Sequence, residues 1–372
     1  MNKRVIAAGH ICIDITPVFP ERAVSDIGDI LRPGQLIQMG KAEVSTGGSV
    51  ANTGLGMKLL GADTILMGKI GSDEFADMIS GILDSYGVVD GMIRSDASTS
   101  YSVVLAIPGI DRIFLHNPGA NDTFYSTDID EKILDSAAHF HFGYPTLMKS
   151  MYENDGEELV KIFKKVKAAG LSTSLDLAMV DANSEAGAAN WQEILDKVMP
   201  YVDFFVPSIE ELCFMIDRER FDSWKDRAKG RDITEILDVD KDIRPLADKC
   251  IDMGAKVLLL KCGAPGMYCR TASKEKLLLI GERAELNVEE WADKELFERS
   301  YKPERILSGT GAGDTSIAAF VVSMLNGESL ENCMKLATAT GACCVSAYDA
   351  LSGLLSLDEL KEKIAAGWEK CL

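Results

Sequence analysis

The chain has 372 residues, of which 47% are hydrophobic and 26% are charged, and its net charge is −19. This composition is typical of a globular protein with a large core, built as one large domain or two medium ones. The negative charge excludes nucleic acid and anionic membranes as partners, because both would be repelled. Nine scattered cysteines without a C-x-x-C pair, and the lack of any run of about 20 apolar residues, predict a cytoplasmic protein.

Short β-branched runs alternate with longer helical patterns along the chain. In chain order, the pattern predicts a strand at 5–8, a helix at 49–60, a strand at 64–67, helices at 74–86 and 157–169, strands at 172–177 and 203–206, a helix that ends near 253, a strand at 257–260, and helices at 313–325 and 330–346. This alternation predicts an α/β fold in which helices cover both faces of a mainly parallel sheet. Two charged stretches, residues 217–242 and 271–305, are interpreted as solvated surface insertions.

Two segments break the alternation, because each resembles a pair of strands that no helix follows. They are residues 36–44 and residues 101–115, and the second turns at Pro108-Gly109. They could form a small antiparallel sheet that stands off the main body as a lid, or they could be edge hairpins of the main sheet. The lid interpretation divides the chain into a main α/β domain, residues 1–15, 47–97 and 117–372, and a β-strand lid, residues 16–46 and 98–116.

A glycine-rich loop, Gly309-Thr310-Gly311-Ala312-Gly313-Asp314, leads directly into the predicted helix at 313–325. Backbone amides of such a loop can point together at an anion, assisted by the positive end of the helix dipole. Asp314 would repel that anion, unless it faces an attacking hydroxyl and accepts its proton. Alternatively, Asp314 is a first-turn carboxylate that stabilises the helix. The loop matches neither a dinucleotide fingerprint nor a P-loop, and the motifs of protein kinases are absent.

Two segments near the N-terminus also carry candidate binding residues. The pair Gly47-Gly48 opens the helix at 49–60, and Asn52 can both donate to and accept from sugar hydroxyls. The alternative for this segment is a tight turn before a closely packed helix. Asp14 follows the first strand and Gly9, where ligands of open α/β sheets bind. Alternatively, Asp14 begins a turn before Pro17.

Together, these segments resemble the ribokinase-like, or PfkB, family of carbohydrate kinases. Gly47, Gly48 and Asn52 are similar to the first signature of the family, and Gly309–Asp314 is similar to the second. Other matches follow in the family's order: the strand that ends in Pro-Asn-x-x-Glu at 202–211, the strand and Gly-x-x-Gly turn beside the nucleotide at 257–266, and the small-residue helix near the adenine at 336–345.

The resemblance implies a ribokinase-like three-layer α/β/α sandwich with a small β-sheet lid, and MgATP as the phosphoryl donor. It implies that Asp314 is the catalytic base and that the anion hole is formed by the amides of Gly311, Ala312 and Gly313. It assigns the acceptor to Asp14, Gly47, Gly48, Asn52 and Arg112. It assigns the nucleotide to Lys261, Gly263, Gly266 and Thr310. Glu211 would organise the metal through water, and two copies of the chain could pair through their lids.

Three positions depart from the family pattern. Ser208 stands where the family has the Asn of Pro-Asn-x-x-Glu, and its hydroxyl could still bond a metal-bound water. Ser308 stands where the family often has an Asp that helps to bind a monovalent cation, so potassium activation is open. Lys261 replaces a small hydroxylic residue, and it could reach a phosphate or lie on the surface.

Several side chains near the predicted lid, and in the strand before Gly143-Tyr144-Pro145, have two interpretations. Arg112, His116 and Asn117 follow the predicted hairpin turn, and they could contact substrate when the lid closes or lie on an exposed hairpin. His139 and His141 alternate along one strand, so at least one is expected to be packed in the interior rather than catalytic.

The sequence therefore predicts an ATP-dependent sugar kinase that transfers the γ-phosphoryl group to a hydroxyl of a small sugar or sugar-like acceptor. The alternatives are a nucleoside or sugar-phosphate kinase with the same fold, or a non-catalytic sugar or nucleotide sensor. A nicotinamide oxidoreductase lacks its expected fingerprint. The identity of the acceptor depends on the shape of the pocket and is not encoded in these motifs.

Overall fold

The structure is a computed structural model that describes residues 3–110 and 112–371. Its strands are β1 (Arg4–Gly9), β2 (Cys12–Thr16), β3 (Glu43–Gly47), β4 (Asp63–Met67), β5 (Lys69–Ile70), β6 (Val89–Asp90), β7 (Ile93–Arg94), β8 (Tyr101–Leu105), β9 (Ile113–Asn117), β10 (His139–Gly143), β11 (Ser172–Asp176), β12 (Phe204–Phe205), β13 (Val257–Lys261), β14 (Gly266–Thr271) and β15 (Glu295–Arg299).

The helices lie between these strands and after the last of them. They are α1 (Ser49–Leu59), α2 (Glu74–Ser85), α3 (Glu131–Asp135), α4 (Lys149–Tyr152), α5 (Glu157–Ala168), α6 (Glu185–Ala188), α7 (Trp191–Val198), α8 (Ile209–Ile216), α9 (Arg218–Ala228), α10 (Arg244–Met253), α11 (Lys274–Leu277), α12 (Val288–Trp291), α13 (Ala312–Leu325), α14 (Leu330–Cys344) and α15 (Leu357–Ala365). Within residues 3–110 and 112–371, no helix combines the length and the apolar character that a membrane crossing requires.

A large sheet forms the centre of the protein, with the strand order β15-β14-β13-β12-β11-β10-β1-β4-β6. Neighbouring strands from β13 to β6 run parallel, whereas β14 and β15 run antiparallel to their neighbours. In β13, Leu258 and Leu260 pack into one core and Val257 and Leu259 into the other. A strand with both faces buried needs a continuous apolar run, as the sequence has here.

Helices cover both faces of the large sheet. One face packs against α5, α7, α8 and α10, and the other packs against α1, α13 and α14. Every residue of α13 from Asp314 to Leu325 is buried, which fits a helix that is apolar or small on all sides. The predicted three-layer α/β fold is thus confirmed, and most predicted helix ends lie within two residues of the observed ones.

A separate small sheet has the strand order β3-β2-β8-β9 and shares no strand with the large sheet. The hairpin predicted at 101–115 is present as β8 and β9. The strand pair predicted at 36–44 is wrong, because only residues 43 and 44 fall in a strand and β3 pairs with β2. Leu36, which the pattern placed in a strand, is 90% exposed and has no sheet to pack on. Since β2 and β8 run parallel, the small sheet is mixed rather than antiparallel.

The small sheet is joined to the large one by very short segments. The chain leaves β1 at Gly9 and enters β2 at Cys12, although the sequence pattern grouped residues 1–15 with the main domain. Between them, Ile11 donates its N–H to Asn121 Oδ1 at 3.2 Å and accepts from Asn121 Nδ2 at 2.9 Å. Asn121 is fully buried. A second crossing, Gly47-Gly48, joins β3 directly to α1.

The two charged stretches are not solvated insertions. Residues 217–242 contain α9, whose Trp224 is 1% exposed and donates to Asp242. Residues 271–305 contain β15, which completes the large sheet, and Trp291, which is also 1% exposed. The high charge of these stretches made the two buried tryptophans hard to recognise, because most of the charged side chains lie on the outer faces of the same elements.

Candidate active site

Four elements bring charged groups together at one edge of the large sheet. Asp176 ends β11, Lys261 ends β13, Glu211 lies in the first turn of α8 after β12, and Asp314 lies in the first turn of α13. The parallel strands end at this edge, which is where ligands bind in open α/β folds.

Asp314 lies at the centre of this group and is only 4% exposed. Its carboxylate accepts hydrogen bonds from the Tyr144 hydroxyl at 2.7 and 2.9 Å, from Asn52 Nδ2 at 3.1 Å and from the Thr53 hydroxyl at 3.3 Å. Gly311 lies directly before the first residue of α13. Its φ is 76°, and a Cβ there would overlap Ala350. Glycine is therefore required at this turn, which sets the direction in which α13 begins.

Lys261 is largely covered rather than on the surface, since 12% of its side chain is exposed. Its Nζ lies 2.6 Å from Asp176 Oδ1, and a Cβ built on Gly313 would come within 3.5 Å of the same Nζ. Burial opposes its charge, but Asp176 and Glu211 raise the pKa of Lys261 above its ordinary value. A fixed cation thus lies against the glycine-rich start of α13.

Asp176 is the most deeply buried carboxylate of the group. Burial raises its pKa to about 8, against the lowering effect of Lys261, while Glu211 and Asp314 add to the rise. Its Oδ2 atom has no hydrogen-bond partner among the described residues. The site therefore holds a carboxyl group whose second oxygen can still accept a hydrogen bond.

Ser208 and Glu211 form a reciprocal cap on α8. The Ser208 hydroxyl accepts from the Glu211 N–H at 3.2 Å, and the Glu211 carboxylate accepts from the Ser208 N–H at 2.8 Å. This capping box explains why a serine suits this position. It also leaves Glu211 within the electrostatic reach of Asp176 and Lys261.

Asp14 lies inside β2 of the small sheet, not at the end of β1 as predicted. Only two residues separate β1 from β2, so the chain enters the second sheet almost at once. The Cys12 thiol donates to Asp14 at 3.3 Å, and burial raises the pKa of Asp14. A Cβ on Gly47 would overlap the Asp14 carboxylate, and one on Gly48 (φ 84°) would lie 2.5 Å from the His10 carbonyl oxygen. Both glycines thus make room for neighbouring polar groups.

A cleft of about 780 Å³ lies between the small sheet, α1 and the segments that flank α13 and α14. Asp14, Asn52, Arg112 and Thr310 line it. Arg112 Nη2 donates to the Ser308 hydroxyl at 2.6 Å, and the same hydroxyl accepts from the Thr310 N–H at 3.1 Å. The small sheet is therefore closed over the loop that precedes α13.

The sequence profile of the pfkB family of carbohydrate kinases matches residues 3–356. The chain belongs to this family. The predicted family and the predicted enzyme class, a phosphotransferase with an alcohol group as acceptor, are thus confirmed for this pfkB-family kinase.

Three similar proteins agree with this membership. An uncharacterized sugar kinase of Archaeoglobus fulgidus is 24% identical over 303 residues, which cover 81% of this chain and 98% of that protein. The structure of Arabidopsis thaliana ribokinase complexed with ribose and ATP has a TM-score of 0.69 at 20% identity, over 97% of this chain and 98% of that one. A candidate ribokinase II from E. coli, in complex with ATP and Mg²⁺, has a TM-score of 0.69 at 21% identity, over 98% and 100% of the two chains. These structural likenesses establish the fold.

Two predicted nucleotide residues lie in a turn of the pfkB-family kinase and away from the cleft lining. Gly263 (φ 62°) and Gly266 (φ 141°) connect β13 to β14, and the Gly266 N–H donates to the Gly263 carbonyl at 3.2 Å. A Cβ on Gly266 would overlap the Glu298 carbonyl of β15. Packing of the sheet edge thus accounts for Gly266, and a role of either glycine at the nucleotide stays a prediction.

The sequence interpretation named His116 but missed its neighbour His10 and missed Tyr144 at the pfkB-family site. His10 Nε2 lies 3.3 Å from His116 Nε2, and His116 Nδ1 lies 3.0 Å from the Ser102 hydroxyl. Burial lowers the pKa of His10 to about 3. His116 is exposed on β9, as the hairpin interpretation expects, and its ring contacts that of His10. Tyr144 carries one signal that could have revealed it, since it follows a buried strand at the binding edge.

His139 and His141 are both fully buried in β10 of the pfkB-family kinase, as expected of at least one of them. His139 lies between the hydroxyls of Ser172 and Ser174, at 2.8 Å from each. His141 Nδ1 lies 2.8 Å from the Ser174 hydroxyl. Both ring nitrogens of His139 therefore have hydroxyl partners within the sheet, whereas His141 Nε2 is buried without a hydrogen-bond partner among the described residues.

Proposed function

We propose that this enzyme transfers the γ-phosphoryl group of ATP to a hydroxyl of a carbohydrate, with Asp314 as the general base. The observation that carries the proposal is the position of Asp314: a buried carboxylate in the first turn of α13, bonded to Asn52 of the cleft. A base must lie within hydrogen-bond reach of the proton that it accepts. An acceptor held beside Asn52 meets this condition at Asp314.

The start of α13 suits the transferring phosphoryl group. The first amides of a helix lack partners within the helix, and here they belong to the anion-hole residues Gly311, Ala312 and Gly313. Lys261 adds a cation against Gly313. Preorganised donors and charge of this kind stabilise the negative charge that grows in the transition state. Lys261 thus joins Thr310, Gly263 and Gly266 as a nucleotide-side residue.

The residues fit ATP with Mg²⁺, which two of the similar structures contain in whole or in part. Mg²⁺ usually keeps several waters and binds through one or two carboxylates and the phosphates. Glu211 suits that role through water, and the described residues contain no cluster of three or more metal-ligating side chains. When bound, the metal neutralises charge on the phosphates.

The acceptor is assigned to the cleft side, to Asp14, Gly47, Gly48, Asn52 and Arg112. Asp14 and Asn52 offer acceptor and donor atoms that match sugar hydroxyls. Arg112 and Arg305 also line the cleft, so an acceptor with an acidic group or a phosphate is included among the candidates. Closure of the small sheet, as a lid, excludes water from the reaction.

The decisive experiment is an acceptor screen with ATP and Mg²⁺, in which ADP release is measured with and without potassium. Free sugars, sugar acids, sugar phosphates and nucleosides form the panel. ADP formation that depends on one class of acceptor, and that Asp314→Asn abolishes, supports the proposal. Binding of ATP and a sugar without ADP formation across the whole panel would instead favour a sensor.

We also propose that two copies pair through the small sheet. Its outer strands are β3 and β9, and Phe114 and Leu115 of β9 are 54% and 53% exposed. Exposed apolar edge strands are rarely left uncovered. Light scattering of the wild type and of Phe114→Lys tests this, since a monomeric wild type would refute the pairing.

A further inference from the structure

Tyr144 has an unusual backbone conformation at the end of β10. Its φ of 62° and ψ of 43° lie in the left-handed region, between Gly143 and Pro145. A bulky residue there costs on the order of 1–3 kcal/mol and persists only where its surroundings enforce it. The Tyr144 N–H donates to the Asp176 carbonyl at 3.3 Å, and its carbonyl accepts from the Leu147 N–H at 3.0 Å. These bonds fix the backbone of Tyr144, and the bonds of its hydroxyl to Asp314 hold the side chain.

The Tyr144 hydroxyl points at the carboxylate of Asp314. It lies 2.7 Å from Oδ1 and 2.9 Å from Oδ2, almost midway between them. Burial, with the charges of Asp314 and Asp176, raises the pKa of Tyr144 well above its ordinary value, so the hydroxyl keeps its proton. It is therefore a donor to the proposed base throughout the working pH range.

Three donors already surround the Asp314 carboxylate, and the single phenolic proton of Tyr144 is shared between its two oxygens. A carboxylate offers about four lone-pair positions. Thr53 contacts Oδ1, Asn52 contacts Oδ2, and Tyr144 contacts both oxygens. Asp314 and Tyr144 are also not among the residues that line the cleft, whereas Asn52 is. An acceptor in the cleft thus reaches Asn52 but meets a base that is already occupied.

A sugar hydroxyl must come within about 2.6–3.2 Å of the base to lose its proton to it. The Tyr144 hydroxyl already makes this contact, with the same chemistry of an O–H donor. We infer that Tyr144 occupies the place of the acceptor hydroxyl on Asp314 until the acceptor displaces it, and thereby keeps water off the base when nucleotide binds alone. This inference rests on the proposed function, because it takes Asp314 as the base.

The consequence concerns water as a competing acceptor. A kinase wastes ATP when a water molecule takes the position of the attacking hydroxyl. Removal of the phenolic oxygen frees lone pairs on a buried carboxylate, and a water that bonds to them is the least costly replacement. Such a water would lie on the base beside the donor phosphate. Tyr144 thus ties ATP turnover to the presence of the true acceptor.

The test compares the wild type with Tyr144→Phe, which keeps the ring and removes only the hydroxyl. The matched control is Tyr201→Phe, at the opposite edge of the sheet before β12. Each protein is given MgATP without any acceptor, and ADP release is measured. We expect Tyr144→Phe to raise this release by at least about tenfold, a part of the roughly 10²–10⁴-fold that a positioned base contributes. The control should match the wild type.

Two further measurements make the result decisive. The double variant Tyr144→Phe/Asp314→Asn should lose the extra ADP release, because the water then lacks its base. With the acceptor found in the screen, Tyr144→Phe should also show a lower KM, since no hydroxyl needs to be displaced. Circular dichroism and the unfolding midpoint confirm that each variant is folded.

The inference is overturned if Tyr144→Phe releases no more ADP than the wild type while the wild type phosphorylates an acceptor. It is also overturned if Tyr144→Phe lowers kcat with the acceptor and leaves the acceptor-free rate unchanged, because Tyr144 would then pass the proton to Asp314. If the wild type phosphorylates no acceptor, the proposed function itself is refuted, and the inference is refuted with it.

Discussion

Replacement of Lys261 by Met should destabilise the protein by an amount that grows with pH. Lys261 bonds Asp176 at 2.6 Å, and their side chains are 12% and 0% exposed. Loss of a charged hydrogen-bond partner costs about 1.5–3 kcal/mol, and an uncompensated buried carboxylate costs about 3–5 kcal/mol. Which value applies depends on whether Asp176 is ionised.

Asp176 decides the pH dependence because its pKa in the folded protein is raised from 3.8 to about 8. Between those two values the folded protein keeps a proton on Asp176 that the unfolded chain has lost, so the contribution of this carboxyl to stability falls as pH rises, in wild type and variant alike. Above pH 8 the wild-type carboxyl ionises beside Lys261, and the free energy of unfolding no longer decreases with pH on its account. Without Lys261 the carboxyl stays protonated, so the free energy of unfolding continues to decrease, by up to about 1.4 kcal/mol per pH unit.

The free energy of unfolding is measured by urea titration at pH 7 and pH 9, without nucleotide or metal. We expect Lys261→Met to lie about 1.5–3 kcal/mol below the wild type at pH 7, and further below it at pH 9. The double variant Lys261→Met/Asp176→Asn is the control, since it has no carboxyl to titrate and should show no extra loss at pH 9. An equal gap at both pH values would refute this account of the pair.

Three further predictions concern the base, the buried histidines and the first signature. Asp314→Asn should keep the unfolding midpoint and lower kcat by about 10²–10⁴-fold in the ADP-release assay; near-normal turnover would remove Asp314 from its proposed role. Burial lowers the pKa to about 3 in three histidines, His10, His139 and His141. Their folded pKa lies below the unfolded 6.5, so stability present at pH 7 should be lost as pH falls, by about 2 kcal/mol per histidine at pH 5; a urea midpoint that does not change from pH 7 to pH 5 would contradict this. Gly47→Ala should raise the KM for the acceptor, because the new methyl group overlaps Asp14. Gly81→Ala, with open space around it in α2, should leave KM unchanged, and equal effects of the two would exclude the steric reason.

The sequence indicated much of this architecture, because buried parallel strands and amphipathic helices leave local patterns. The predicted ends of β13 and of α13 lie within one residue of the observed ends. The sequence analysis failed where a segment depends on distant partners. The apolar residues around Leu36 have the alternation of a strand but no sheet to join. The true partner of β3 is β2, whose five residues are too short to give a clear period.

Within the site, sequence reasoning found residues in glycine-rich motifs and missed their partners. The glycines around Asp314 mark the loop, but the bond from Tyr144 joins residues 170 positions apart. Asp176 likewise gave no local sign of its pair with Lys261, because the order of β11, β12 and β13 in the sheet creates that contact. Side chains that meet across strand ends can be identified only when the strand order is known.

Short segments of chain connect the small sheet to the main body, and two of them lie beside the cleft. Any rotation of the small sheet would therefore take place next to the binding region. Two of the crossings are the segment before β2, which Asn121 holds, and the Gly47-Gly48 pair, whose missing side chains accommodate Asp14 and His10. A rotation of the small sheet must bend the chain at these same points. A molecule that contacts Asp14 in the cleft therefore lies directly beside the Gly47 crossing.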